Sequence, residues 1–170
     1  MMTSNNNCFL LYRGFTMAFE DLIIRYLDGP SLLEASVSGL SEDQLKTRCE
    51  PGKWSILEVV CHFTDFEIVY ADRIKRILAE DNPTLMSGDP DEYAKTLAYH
   101  DRSLTTELAV IKTIRAHMAE ILRTLSSDQW EFTGTHSRDG QISIQELVER
   151  ITGHIPHHLK FVEEKKKNLP

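Results

Sequence analysis

Residues 54–77 read WSILEVVCHFTDFEIVYADRIKRI, and the order of residue types in this stretch decides the fold. Ser55 offers a side-chain oxygen to the free amides of a first helical turn, and Glu58 three residues on can reach back to the Ser55 amide. Trp54 before this cap and Val59 at the fourth helical position form the hydrophobic staple that accompanies such a capping box. Behind the start, Phe63, Phe66, Tyr70, Ile74 and Ile77 recur at three or four residues, which keeps them on one side of a helix. The helix is expected to end near Glu80. Asp81-Asn82-Pro83 and Ser87-Gly88-Asp89-Pro90 are turn formers, so residues 81–92 read as a loop.

The same device recurs at residues 142–161, ISIQELVERITGHIPHHLKF. Ser143 caps, Glu146 closes the box, Ile142 and Leu147 form the staple, and the helix is expected to run to about Lys167. Upstream, Phe19, Ile23, Tyr26 and Leu27 lie at helical spacing within a helix read from about Met17 to Val37. Gly29-Pro30 interrupts it, because proline lacks an amide and clashes with the preceding turn; a kink or two short helices are expected there. Leu104, Leu108, Ile111, Met118, Leu122 and Leu125 mark a further helix, spaced by three or four throughout except at Arg115, that could begin as early as Asp91. Residues 133–142 read as a connection with a turn at Asp139-Gly140, too polar to argue for a sheet. Four amphipathic helices make an all-α four-helix bundle, one domain over residues 17–168, behind a poorly ordered extension at residues 1–16.

Length and composition agree with one core: 170 residues, 41% apolar and 26% charged. A net charge of −7, from 19 basic and 26 acidic residues, argues against a sequence-independent grip on nucleic acid. No run approaches the roughly 18–20 apolar residues of a membrane span. Cys8, Cys49 and Cys61 form neither an even set nor a CxxC pair, which suits a reducing, cytoplasmic setting.

Seven histidines raise the question of which converge. With roughly 100° between successive helix residues, His154, His158, Leu147, Ile151 and Phe161 share one apolar stripe. His157 turns about 60° to the other side and is the weaker candidate. On the earlier helix, His62 lies within about 60° of Val59, Phe66, Val69 and Arg73. A bundle that packs these two helices together could bring His62 to the 154/158 pair. Neutral imidazoles suit zinc, nickel, iron or copper better than magnesium or calcium, and three protein ligands leave a position open. Asp65 or Glu58 could orient His62 or act as a base. The plainer reading is a set of satisfied core histidines with no metal, and Pro156, between the two candidate ligands, works against a regular helix. His100, His117 and His136 read as solvated or structural, and Cys61, about 100° from His62, as packing.

Gly52-Lys53-Trp54-Ser55 leading to His62, Thr133-Gly134-Thr135-His136, Ile142-Ser143 and His154-Ile155-Pro156-His157-His158 together resemble the DinB-like (YfiT-like) metal-binding superfamily over roughly residues 17–168. The resemblance implies a four-helix bundle with a divalent metal on His62, His154 and His158, zinc or nickel before iron or manganese. It also implies a homodimer and a small-molecule substrate, with hydrolysis or transfer of a low-molecular-weight thiol as the reaction. The sequence departs at Ile155-Pro156, where an acidic residue is common, which puts an acid–base role there in doubt. A non-catalytic module stapled by its metal, with a stress-response or partner-binding role, is the alternative.

Overall fold

The computed structural model describes residues 6–169, with side chains from Ala18 on; the extension expected at residues 1–16 lies outside the residues described in full. Four long helices form the body: α1 (Asn6–Val37), α3 (Ile56–Ala79), α5 (Leu104–Arg123) and α7 (Ile144–Lys167). Shorter pieces connect them: α2 (Glu42–Lys46), α4 (Pro90–Thr96), a 3₁₀ turn (Tyr99–Asp101) and α6 (Ser127–Trp130). Each long helix packs chiefly on two others, α1 on α5 and α7, and α3 on the same two. The helices α3 and α7 are therefore neighbours, and α1 stands diagonally across from α3.

The cap signals are reproduced unequally. At α3 the box is complete: Ser55 Oγ accepts the Glu58 amide at 3.2 Å and Glu58 Oε2 accepts the Ser55 amide at 2.7 Å. At α7 Ser143 Oγ accepts the Glu146 amide at 3.2 Å, but the Glu146 carboxylate pairs with Arg150 at 2.7 Å. Ser143 is already the last residue of a strand, paired with Thr133, so only half of the expected box forms.

Three expectations are corrected. First, residues 133–143 are a β-hairpin and not an irregular connection: β2 (Thr133–His136) pairs antiparallel with β3 (Gly140–Ser143), and β1 (Thr84–Leu85) adds in parallel to β2. The turn does fall at Asp139-Gly140, with Gly140 at φ 79°. Strands of four residues are too short to show an alternation; what holds them is backbone pairing and the seating of Gly134, whose missing Cβ would lie 3.1 Å from Ile77 and Leu85. Second, the expected 81–92 loop ends early and the helix placed from Asp91 is split, because Ala98 adopts a left-handed conformation (φ 51°, ψ 42°) between α4 and the 3₁₀ turn. That break drives Tyr99 fully into the core, edge-on to Trp54. Third, of the kink or two short helices expected at Gly29-Pro30, the second is excluded, because α1 is one helix with Pro30 inside it.

The last correction has a local cause. Pro30 has no amide to give the Tyr26 carbonyl. Arg115 Nη1 donates to that carbonyl instead, at 2.6 Å. A Cβ on Gly29 would come within 2.0 Å of the same nitrogen, so glycine makes the approach possible. Arg115 Nε donates to Glu67 at 2.9 Å and Nη2 to the Ile151 carbonyl at 3.0 Å, while Tyr26 Oη donates to Glu67 at 3.2 Å. Burial raises the pKa of Glu67 against the lowering effect of Arg115, and pushes the Tyr26 hydroxyl upward as well. This layer separates two apolar clusters, one around Tyr26, Ile74, Met118 and Ile151, the other around Leu33, Phe63, Ile111 and Ile155.

Candidate metal centre

The helical phase of α3 and α7 delivers what their apolar stripes require. His62, His154 and His158 converge across the α3–α7 seam, with one ligand atom of each lying within 4.8 Å of the others. His62 Nε2 and His154 Nε2 approach to 3.0 Å. The rings of His154 and His158 lie edge to face at 5.0 Å, as residues one turn apart should, and Pro156 between them leaves α7 continuous. His157 is exposed, its ring packed on His158 and Phe161. His100 and His117 are exposed, whereas His136 is buried in β2, where its Nδ1 accepts the Asp139 amide at 3.2 Å.

Burial, and then the neighbouring His158, pulls the His62 pKa down to about 4. Burial, then His62 and His158, pulls His154 down to about 2. His158 is lowered too, by burial and His157. All three are thus neutral at pH 7, with lone pairs available. The Nδ1 atoms of His62 and His154 are buried without a hydrogen-bond partner among the described residues. The facing Nε2 atoms can share one proton, but the two orphaned Nδ1 atoms are costly for buried imidazoles, and a cation between the rings would take the Nε2 lone pairs in place of that proton. The donor set, three neutral nitrogens, fits a borderline cation such as zinc or nickel and is poor for magnesium or calcium.

Neither carboxylate expected beside the site touches His62. Glu58 is taken by Arg48, whose Nε donates to Oε2 at 2.9 Å, and by its own cap amide. Burial would raise the Glu58 pKa, but these bonds outweigh it and leave it low. Asp65 Oδ1 accepts from Arg102 at 3.0 Å. Cys61 is buried, its thiol pushed up to about 12 by burial, and bonded to the Tyr99 carbonyl. The imidazoles are oriented by rings instead: Trp54 and Phe66 lie 5.1 and 4.6 Å from His62, and Phe63 lies 5.3 Å from His154. Periodicity put Phe63 and Phe66 in the apolar series and the cap pattern put Trp54 in the staple, but neither gave a sign that rings, and not an acid, would pack on the imidazoles.

With this geometry in place, comparisons with known proteins bear on the site. The profile of the DinB superfamily matches residues 25–162. A candidate metal-dependent hydrolase of Oceanobacillus iheyensis is 30% identical over 135 residues, 79% of this chain and 78% of that one. Another from Geobacillus kaustophilus is 28% identical over 130 residues, covering 76% and 73%. Among solved structures, YfiT from Bacillus subtilis, described as a probable metal-dependent hydrolase with an unusual four-helix bundle topology, superposes with a TM-score of 0.81 at 21% identity, over 88% of this chain and 86% of that one. No helix among the described residues is long and apolar enough to cross a membrane.

Proposed function

The chain belongs to the DinB superfamily, and from that membership we propose that it is a metal-dependent hydrolase of a small molecule, its divalent ion held by His62, His154 and His158. The observation that carries this reading is the convergence of three neutral imidazoles to within 4.8 Å, two of them with Nε2 atoms facing at 3.0 Å. Relatives carrying hydrolase names support the reaction class.

The work of the chain is to hold three lone pairs toward one point and to keep them unprotonated. Burial does the second, since an imidazolium there would lack solvent and an anion. The rings of Trp54, Phe63 and Phe66 do the first, by packing against the imidazole planes. His62, His154 and His158 would hold the ion, which would supply Lewis acidity toward a carbonyl or phosphoryl oxygen and an acidified water. His154 and His158 are half-buried, against a His62 that is sealed, so approach to the centre is from the α7 side.

The test is metal content by elemental analysis of tag-free protein and of His62→Ala, His154→Ala and His158→Ala. Near-stoichiometric zinc, nickel, iron or manganese in the wild type, lost or sharply reduced in each variant, is the expected result. A wild type that is metal-free and ignores added zinc and nickel would overturn the reading. Metal-loaded protein is then screened on esters and amides beside thiol donors; hydrolysis without thiol is expected, and turnover only with a thiol would move the reaction to transfer.

A further inference from the structure

Two arginines are buried among the described residues, and they differ in their company. Arg115 has Glu67. Arg73, on α3, is 5% exposed, pairs with no carboxylate among the described residues, and has an Nε with no acceptor. Its Nη2 donates to the Met86 carbonyl at 2.5 Å, and its guanidinium lies 5.2 Å from the Tyr70 ring centre. A carbonyl and a ring face solvate the group in part and neutralise none of its charge. Asp139 is the acid closest to serving, but Arg150 and Arg138 hold its carboxylate at 2.7 and 3.1 Å. Burial accordingly lowers the Arg73 pKa. A buried cation without a counter-charge is destabilising, so a fold that keeps one gains something when an anion arrives.

Its position says what that anion belongs to. Arg73 follows His62 on α3 by eleven residues, which puts it about 20° round the helix and roughly 16 Å along it, on the same face. The ground between is aromatic. Phe66 packs on His154 at 6.0 Å and on Tyr93 at 5.9 Å. The chain leading to α4 is pressed onto these rings, so that a Cβ on Gly88 would be 2.8 Å from Tyr93. Half-buried aromatic side chains, Phe66, Tyr70 and Tyr93, therefore stand along this face between the three imidazoles and the unneutralised guanidinium.

Taking the metal-centre reading as its basis, we propose that Arg73 recognises an anionic group, a carboxylate or a phosphate monoester, at the far end of a substrate whose reacting bond lies at the histidines. The fork of a guanidinium suits the paired oxygens of either group. The substrate is thus elongated, apolar or aromatic in its middle, and charged at the end remote from the reaction.

The test uses the full chain, as isolated and again after chelation, so that no ion can be held by metal. Inorganic phosphate and, separately, succinate are titrated while the Arg73 Nε–H signal is followed by ¹⁵N NMR, with chloride at equal ionic strength as control. A saturable shift of that signal by either anion, in both metal states, is expected; tighter phosphate or tighter succinate tells the monoester from the carboxylate. Arg73→Met is expected to weaken binding at least tenfold and Arg73→Lys less than that. No saturable shift with either anion, or Arg73→Met binding as well as wild type, would overturn the proposal, and the wild-type titration reads even where a variant does not fold. Protein that takes up metal but no anion removes this inference alone; protein that binds anion but no metal removes the metal centre and leaves Arg73 as an anion site.

Discussion

His62 and His154 face each other at 3.0 Å, where burial makes a proton costly on either, and this has a consequence in acid. The folded His62 titrates near 4, depressed from 6.5 by burial and His158, whereas the unfolded chain protonates near 6.5. Above pH 6.5 neither state binds the proton and the group has no effect. Below it the unfolded state gains protons that the folded state refuses, so stability falls with pH until the folded group titrates too. For His62 alone the loss reaches about 2 kcal/mol by pH 5. Urea midpoints of metal-free protein at pH 7.5, 6 and 5 are expected to fall, and less steeply for His62→Phe; equal slopes would place the effect elsewhere. These histidines were legible in the sequence because each sits in an apolar stripe, and a polar residue in such a stripe needs a reason. The fates of Glu58 and Asp65 were not legible. Both lie at the edge of the same face, but their partners, Arg48 and Arg102, come from a loop and from the link between the 3₁₀ turn and α5, whose placement no periodicity encodes.

Among the elements, α1 and α5 explain each other. In the sequence Gly29-Pro30 looked like a break and Arg115 like a lapse in an apolar series; in the fold the guanidinium reaches the carbonyl that the proline leaves free, through the gap that the glycine leaves open. The two irregularities lie far apart in the chain, so each was visible and their connection was not. Removing one member of a buried ion pair strands the other, so Arg115→Met is expected to cost about 3–5 kcal/mol, and the double variant Arg115→Met/Glu67→Leu much less. Urea unfolding of the two measures it; a double variant no better than the single would show that the bonds to the Tyr26 and Ile151 carbonyls carry the stability. The hairpin marks the opposite limit of legibility. Its turn residues are in the sequence, but its strands are too short for a pattern, and β1 joins from a stretch that reads as loop.

For the whole molecule, a cation bound only by the folded state must raise its stability. At a free concentration one hundred times the dissociation constant the gain is about 2.7 kcal/mol. Thermal unfolding is therefore expected to move upward with added zinc or nickel and back with chelator, and to stay unmoved by either in His154→Ala; a wild type indifferent to both would leave the histidines as packing. The four-helix count was legible, since long amphipathic segments admit few arrangements, but the pairing of α3 with α7 was only one of those arrangements until the fold showed it. What fixes one arrangement is the charged layer between the two apolar clusters. Oily surfaces can slide by a turn and meet another oily surface, as gears without a keyway can mesh at any tooth. Arg115 is the key. It reaches Glu67 on α3, Tyr26 on α1 and Ile151 on α7 from one point on α5, so a turn's slip of any helix would break at least one of these bonds. The histidines of α3 and α7 are thereby indexed to each other by a residue that touches none of the three.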